Sequence, residues 1–268
     1  MPELPEVETI RRDIAPLIVA RRIESADAAG GPRYGRVAEA VGRTVRALAR
    51  RGKYLLFDLE DRELVIHLGM SGRLFVASSA PASPHLRAEF GLEGGDSLCF
   101  VDMRKFGTLC IVRPGQYAAI PTLARMGPEP LSDAFEQTAF VRAVARQGPC
   151  IKAVLLAQKV VAGLGNIYVD EALHRSGIHP ESRGIGRAQA LRLHRAIRDV
   201  LTEAIEDRGT TFSLYRDGHL AEGRHYERLR VYDRAGRPCP ACGSPIAKIR
   251  VAQRGTHYCP ACQSAPLS

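Results

Sequence analysis

The sequence predicts an α+β multidomain protein with an N-terminal β-sandwich, a helical middle part and a small C-terminal hairpin. Three observations support this fold class. Short β-like runs fill much of residues 44–112, helical periodicity dominates residues 132–207, and two close cysteine pairs lie near the C-terminus. At 268 residues, the chain is long enough for two or three such units.

The charge balance indicates a polyanionic partner. Lysine and arginine number 38 against 29 aspartates and glutamates, which gives a formal net charge of +9. Nucleic acid fits such a balance first and an anionic membrane surface second. Apolar runs stay well short of the ~20 residues of a membrane span, and the N-terminus lacks a signal-peptide layout. We therefore expect a cytoplasmic protein with reduced cysteines and no membrane association.

The N-terminal part is predicted to contain one helix followed by antiparallel strands. Residues 5–20 place Val7, Ile10 and Ile14 at helical spacing, and the later runs are punctuated by glycine and aspartate, as tight turns require. Residues 77–97, rich in serine, proline and glycine, are expected to form a loop. The predicted strands are Thr44–Ala49, Tyr54–Leu59, Glu63–His67, Arg73–Val76, Leu98–Asp102 and Thr108–Val112.

After a proline-rich linker within residues 113–131, the sequence is predicted to be mainly helical. Ser132 or Asp133 is expected to cap the first helix, which stops at Gly148-Pro149. Further helices are predicted from about Ile151, over Asn166–Ser176 and over Arg187–Asp207, with weak strand signals at Arg228–Tyr232.

Four cysteines near the C-terminus predict a structural zinc site. They form two Cys-x-x-Cys pairs, a spacing typical of a zinc ribbon. Four thiolates saturate a tetrahedral ion, so one Zn²⁺ per chain is expected to stabilise the fold rather than catalyse. A thioredoxin-like redox pair is the alternative, but it lacks the βαβ context. The predicted ligands are Cys239, Cys242, Cys259 and Cys262, and the predicted hairpin strands are Ile246–Ile249 and Val251–Gln253.

The first six residues allow two interpretations. Removal of Met1 would give Pro2 a free secondary amine, which can attack a sugar carbon and form a cationic iminium. Glu3 and Glu6 would then supply carboxyls for proton transfer. Alternatively, Pro5 and the acidic residues simply suit the first turn of a helix. These six residues alone favour the second interpretation.

Three glycine-containing segments are suited to contacts with DNA. Gly163-Leu-Gly-Asn166 precedes a predicted helix, whose first amides attract phosphate. One tight turn carries Met70, and a second tight turn carries Arg104 and Phe106. Proteins that unstack duplex steps insert apolar side chains of this kind. Taken singly, Met70 and Phe106 are more simply interpreted as core residues.

Together and in this order, these stretches resemble the bacterial formamidopyrimidine-DNA glycosylase and endonuclease VIII family. The opening Pro-Glu-Leu-Pro-Glu is similar to the formamidopyrimidine-DNA glycosylase branch, since the other branch typically has glycine in the third position. The resemblance covers nearly the whole chain. The matching stretches are residues 2–8, 51–56, 67–72, 104–107, 163–170, 177–180 and the four-cysteine hairpin.

The resemblance implies a role for each candidate site residue. Pro2 would be the nucleophile at the lesion sugar's C1′, with Glu3 protonating and opening the sugar ring and Glu6 ordering the site. Lys53, grouped with these catalytic residues, would contact a phosphate beside the lesion. The remaining implied contacts are with DNA: Asn166 and Arg254 with the backbone at the lesion, Lys152 as a weaker candidate for the same surface, and Met70, Arg104 and Phe106 in the space left by the extruded nucleotide.

The family's activity is base excision from damaged double-stranded DNA, followed by β- and δ-elimination. The resemblance thus implies a bacterial glycosylase/AP lyase for 8-oxoguanine and formamidopyrimidines, monomeric and zinc-binding. Its fold would be a β-sandwich domain (1–115), a linker (116–131), a helix–two-turns–helix domain (132–222) and a zinc-finger domain (223–268). An endonuclease VIII-like preference for oxidised pyrimidines and a non-catalytic zinc-ribbon protein that binds DNA damage are the alternatives.

Two residues depart from the family's usual pattern. Met103 stands where proline is general, so the turn that carries Arg104 is expected to be looser. Arg208 replaces a common glycine. Neither residue is expected to touch the proposed catalytic groups, but both leave lesion preference and opposite-base discrimination open.

Overall fold

The computed structural model describes residues 2–146, 148–211 and 215–265. The chain divides into two compact units. The first comprises Met1–Ala124 and Ile205–Tyr226, and the second comprises Arg125–Ala204 and Glu227–Ser268.

The first unit contains two four-stranded antiparallel sheets. One sheet has the strand order β1-β6-β7-β5 and the other has the order β2-β3-β4-β8. The strands are β1 (Ile23–Ala28), β2 (Ala47–Arg51), β3 (Tyr54–Asp58), β4 (Glu63–His67), β5 (Gly72–Ala77), β6 (Leu86–Leu92), β7 (Ser97–Asp102) and β8 (Thr108–Val112).

One apolar core joins the two sheets and the N-terminal helix α1 (Leu4–Ile18). Phe57 of one sheet and Phe90 and Phe100 of the other are fully buried in the same cluster. The helix adds Ile10 and Ile14, which are also fully buried. Because apolar faces of both sheets and one face of α1 are removed from water together, the predicted sandwich with an N-terminal helix is confirmed.

The largest difference from the expected strands lies in residues 77–97. This stretch is not all loop, because β6 runs through Leu86–Leu92 and pairs with both β1 and β7. Alternate residues Ala88, Phe90 and Leu92 are buried and fix the strand's register. The run of serines and prolines that suggested a loop covers residues 78–84 and ends before this strand. The polar edge strand β1 was likewise not predicted.

The second unit is built mainly from helices. Its α6 buries Leu193, Ile197 and Val200 along the predicted stripe. Within the described residues, no helix is both long and apolar enough to cross a bilayer. Helix α2 (Pro121–Ala124) belongs to the first unit. The later helices are α3 (Gln137–Val144), α4 (Ile151–Leu156), α5 (Asn166–Ser176) and α6 (Arg187–Glu206). The last residues of α6 belong to the first unit.

Two local predictions in the helical part were wrong. Neither Ser132 nor Asp133 caps α3, because the chain first makes a turn and Glu136 is the residue preceding the helix. The weak strand signals at Arg228–Tyr232 correspond to a single 3₁₀ turn at His225–Arg228 and the loop after it. In contrast, α5 has the predicted bounds and ends at Gly177 in a left-handed conformation.

The C-terminal hairpin consists of β9 (Ala247–Val251) and β10 (Arg254–Tyr258). Both strands start later than predicted, since the turn lies at Ala252 and Gln253. These residues have φ angles of +49° and +59°, the conformation that two-residue hairpins of type I′ require. Neither Ala252 nor Gln253 is the glycine or asparagine that normally marks such a turn. For this reason the turn was predicted too early in the sequence.

Candidate functional site

The N-terminal residues are held in place by the Glu6 carboxylate. Pro2, Glu3 and Glu6 are all buried. Glu6 Oε2 accepts a hydrogen bond from the Glu3 N–H at 2.8 Å, and Glu6 Oε1 accepts one from the Thr210 N–H at 2.7 Å. A Cβ on Gly209 would lie 2.8 Å from Glu6 Oε1, so this approach requires glycine. Thus the structure brings three of the four predicted catalytic residues together beside residues 209–210, and Lys53 lies on another element.

Tyr215 also contacts this cluster, although it lies 209 residues from Glu6 in the sequence. Its hydroxyl donates to the backbone oxygens of Glu6 and Arg208 at 3.4 and 3.2 Å. Burial, together with the negative charges of Glu6 and Asp217, raises the pKa of Tyr215. The phenol therefore stays protonated and remains a hydrogen-bond donor at neutral pH.

Lys53 lies in the turn between β2 and β3, next to His67. Gly52 allows this turn by adopting a φ of +55°. Burial and the positive charge of Lys53 lower the pKa of His67 to about 4. The resulting neutral imidazole accepts the Gly69 N–H at Nδ1, at 3.1 Å. Lys53 is thus placed close to the start of the turn that carries Met70.

The two predicted DNA-contacting turns pack directly on each other. A Cβ on Gly69 would lie 2.5 Å from the Gly107 nitrogen, so the backbones touch at a glycine with φ of +63°. The fully buried Asp102 carboxylate ties the turns together by accepting hydrogen bonds from Ser71 Oγ at 2.5 Å and Gly107 N–H at 2.7 Å. Met70, Arg104 and Phe106 are therefore presented from one rigid support.

The exposure of these side chains decides between the two interpretations of the turns. Phe106 is 45% exposed, and Met103 beside it is 46% exposed, so the core interpretation is wrong for Phe106. The Arg104 guanidinium carbon lies 4.9 Å from the centre of the Phe106 ring, within the range of a cation–π contact. Met70 is half-buried.

In the second unit, Lys152 does not lie on a surface. Its ammonium is fully buried and binds Asp170 Oδ1 at 2.5 Å, with the Gly255 carbonyl 3.4 Å away. Asn166 donates from Nδ2 to the same carbonyl at 2.8 Å. Lys152 was predicted as a weaker candidate for the DNA-binding surface, but the structure places its ammonium in this buried ion pair. Arg254, one residue before Gly255, is exposed at the hairpin turn.

The four predicted cysteine ligands converge. Their sulfur atoms all lie within 4.8 Å of one another. Cys239 and Cys262 sulfurs are 3.9 Å apart, and those of Cys242 and Cys259 are 3.4 Å apart. Zinc–sulfur bonds of about 2.3 Å in a tetrahedron put neighbouring sulfurs about 3.8 Å apart, so the arrangement fits one zinc ion.

Two acidic residues of α5 connect this helix to the C-terminal region. Asp170 Oδ2 accepts the His257 N–H of β10 at 2.8 Å. The buried Glu171 carboxylate accepts three successive backbone N–H groups, those of residues 230–232. Neither carboxylate was singled out from the sequence, because their partners lie about 60 to 87 residues away.

Glu8, on α1, leads to a prediction about pH. Burial acts to raise its pKa, but hydrogen bonds and charges from Arg11, Arg12 and Arg50 prevail and lower it to about 2 from the ordinary 4.5. A lowered folded-state pKa contributes stability above pH 4.5, and this stability is lost as the pH falls from 4.5 towards 2.

For Glu8→Gln we expect a free energy of unfolding about 3 kcal/mol smaller at pH 7 and a weaker loss of stability on acidification. Urea unfolding at pH 7 and pH 3.5 measures both, and equal pH dependence in the two proteins would contradict this assignment.

Comparisons with known proteins assign the family. The formamidopyrimidine-DNA glycosylase N-terminal domain matches residues 1–109, the H2TH domain matches residues 126–215, and the zinc finger found in FPG and IleRS matches residues 236–265. A formamidopyrimidine-DNA glycosylase of Symbiobacterium thermophilum is 49% identical over 258 residues, covering 93% of this chain and 85% of that protein. The chain belongs to the formamidopyrimidine-DNA glycosylase family.

Solved structures of this family share the whole fold. The crystal structure of the MutM (Fpg) protein from Thermus thermophilus superposes with a TM-score of 0.93 at 45% identity, covering 99% of this chain and 100% of that one. The Lactococcus lactis Fpg in complex with DNA containing N7-benzyl-Fapy-dG gives a TM-score of 0.91 at 36% identity, with 98% and 100% covered. The predicted family and fold class are thereby confirmed, as is one structural Zn²⁺ held by the four cysteines.

Arg208, noted from the sequence as an unusual residue, lies next to the residues that contact Glu6. Arg208 immediately precedes Gly209 and Thr210, which contact Glu6. Its carbonyl also accepts the Tyr215 hydroxyl. The side chain of Arg208 itself binds Asp13 and Asp217. The turn after Met103 is held by Asp102, which accepts hydrogen bonds from Ser71 Oγ and the Gly107 N–H.

Proposed function

We propose that this protein is a bifunctional DNA glycosylase/AP lyase that excises oxidised purines, 8-oxoguanine and formamidopyrimidines, from duplex DNA. The main support is the buried cluster of Pro2, Glu3 and Glu6 at the start of α1, in a chain of the formamidopyrimidine-DNA glycosylase family. The Lactococcus lactis relative solved with a Fapy-dG derivative in DNA supports this class of substrate.

In the proposed reaction, Met1 is removed and Pro2 attacks C1′ of the lesion sugar. A terminal α-amine has a reference pKa of roughly 7.7–8.0, so an appreciable fraction is neutral at pH 7. The C1′–N bond breaks, and its electron pair leaves with the base. Glu3 donates a proton to the ring oxygen as the C1′–O4′ bond breaks, and loss of the Pro2 N–H proton leaves the cationic iminium. The iminium acidifies the C2′ hydrogen, whose loss expels the 3′-phosphate in β-elimination, and a second proton loss then expels the 5′-phosphate in δ-elimination.

The remaining candidate residues are proposed to hold the DNA. Phe106, Arg104 and Met70 extend from one support and fill the space left by the extruded nucleotide. Lys53 and Arg254 bind phosphates through charge, and Asn166 lies next to the Arg254 turn. Exposure of Phe106 and of Arg254 supports these two roles. Lys152 is left out because it is buried in an ion pair.

We further propose that the protein acts as a cytoplasmic monomer, with chemistry in residues 1–115 and DNA binding shared by residues 132–222 and 223–268. Residues 116–131 would then act as the connection between these domains. Analytical ultracentrifugation with and without a lesion duplex tests the monomer, for which a single species with 1:1 binding is expected.

Borohydride trapping tests the function directly. Reduction of the iminium on an 8-oxoguanine:C duplex should give a covalent protein–DNA adduct, and mass mapping should place it on the peptide that begins with Pro2. A thymine-glycol duplex serves as the comparison. More adduct with thymine glycol would favour oxidised pyrimidines as substrates, and no adduct with either lesion would favour a non-catalytic DNA-binding protein.

A further inference from the structure

Arg208 adopts a backbone conformation that suits glycine better than arginine. Its φ angle is +62°, in the left-handed region. The backbone at this position therefore gives no reason for an arginine, and the explanation must lie in the contacts of the side chain.

The guanidinium of Arg208 clamps two carboxylates. Its Nη2 lies 2.7 Å from Asp13 Oδ2 and 2.5 Å from Asp217 Oδ2, and its Nε donates to Asp217 at 3.0 Å. The side chains of Asp13 and Asp217 are 5% and 0% exposed. Two buried carboxylates this close together repel each other unless a cation lies between them. Arg208 thus makes their approach possible.

The backbone around Asp217 completes the clamp. The Gly218 N–H donates to Asp13 Oδ2 at 3.0 Å, and a Cβ on Gly218 would lie 2.5 Å from the Asp13 Cβ. Asp217 Oδ1 in turn accepts the N–H groups of His219 and Ala221 at 2.9 and 2.8 Å. Residues 217–221 are therefore fixed on α1 through Asp13.

The same stretch of chain meets α1 at a second point, which is Glu6. Thr210, two residues after Arg208, donates its N–H to Glu6 Oε1. Glu6 and Asp13 are seven residues apart on α1, or about two helical turns. The turn at residues 208–210 is thus anchored by Arg208 at one site and contacts the candidate catalytic cluster at the other.

We propose that Arg208 is a positioning residue for the N-terminal active site. Its clamp on Asp13 and Asp217 sets the Thr210 amide against Glu6, and Glu6 in turn fixes the backbone of Glu3 next to Pro2. In this role Arg208 acts through Glu6 rather than by contact with the substrate. This inference rests on the proposed function, since it assumes that Pro2 and Glu3 carry the chemistry.

The test is Arg208→Met, which keeps an unbranched stem similar to the aliphatic part of arginine and removes the charged guanidinium. We expect single-turnover incision of an 8-oxoguanine:C duplex to slow by about tenfold to a hundredfold, because small misplacements of catalytic groups cost this much. Affinity for a duplex with an uncleavable abasic-site analogue should stay unchanged. The matched control is Arg46→Met, which removes an exposed arginine from its pair with Glu60 and should incise at the wild-type rate.

A rescue separates positioning from a general structural role. Adding Asp217→Asn to Arg208→Met removes one of the two repelling charges and should recover part of the rate. Incision at the wild-type rate by Arg208→Met, or weaker duplex binding that accounts for the whole loss, would overturn the proposal. If Arg208→Met does not fold, Arg208→Gly takes its place, since glycine relieves the backbone while also removing the clamp. Failure of the proposed function is recognised separately, by a wild-type borohydride adduct that maps away from Pro2.

Discussion

Insertion of one alanine between Met1 and Pro2 is expected to reduce base excision and strand cleavage by about a thousandfold or more. After removal of Met1, the inserted residue would turn the Pro2 nitrogen into an amide, which is not nucleophilic. The new terminal amine would lie up to about 3.8 Å from the old one. Because Glu6 holds the backbone of Glu3 from within the fold, the cluster has little freedom to compensate.

This prediction is measured by single-turnover incision and by borohydride trapping on an 8-oxoguanine:C duplex. The matched control is one alanine inserted between Gly30 and Gly31, an exposed pair with open space around it, which should leave incision unchanged. Duplex affinity of the N-terminal variant should stay near the wild-type value, since Phe106 and Arg254 are untouched. Efficient incision by this variant, with the sugar captured on a lysine, would exclude Pro2 as the nucleophile.

The parts of the fold that were predictable are those in which local pattern and burial agree. Strands β4 and β8 and helix α5 have the predicted bounds, because each is a continuous apolar or amphipathic run ending at a polar residue or a left-handed glycine. Strand β6 was not predicted because its sequence mixes Arg87, Glu89 and Gly91 with the buried apolar residues of the strand. Only its pairing with two neighbours makes it a strand, and pairing is not visible in a local window.

The candidate site shows the same division between local and long-range information. The residue types at Pro2, Glu3 and Glu6 and the cysteine spacing were readable from the chain. The groups that position them were not, because Thr210 meets Glu6 across 204 residues and Arg208 meets Asp13 across 195. Burial of Lys152 was likewise hidden, since it depends on Asp170 from the next helix. Such contacts are set by the tertiary fold alone.

Loss of the zinc site is expected to have the second largest effect. For Cys242→Ser, we expect DNA affinity to fall by about a hundredfold or more, because a two-stranded hairpin is barely stable alone and zinc supplies about 10–16 kcal/mol in zinc-finger peptides. Unfolding of β9 and β10 would release Arg254 from its turn. It would also remove the His257 N–H from Asp170, leaving that buried carboxylate with one fewer donor. The damage should therefore spread from the hairpin into α5.

Zinc content, duplex affinity and hydrogen exchange measured on the same preparations test this chain of effects. Exchange should accelerate in residues 247–258 and then in α5, while the sandwich strands, whose core is separate, keep their protection. Cys150→Ser is the matched control, as it removes a half-buried thiol from the second unit but lies outside the cluster. A zinc-free Cys242→Ser protein that binds the lesion duplex as tightly as wild type would show that the hairpin holds Arg254 without its metal.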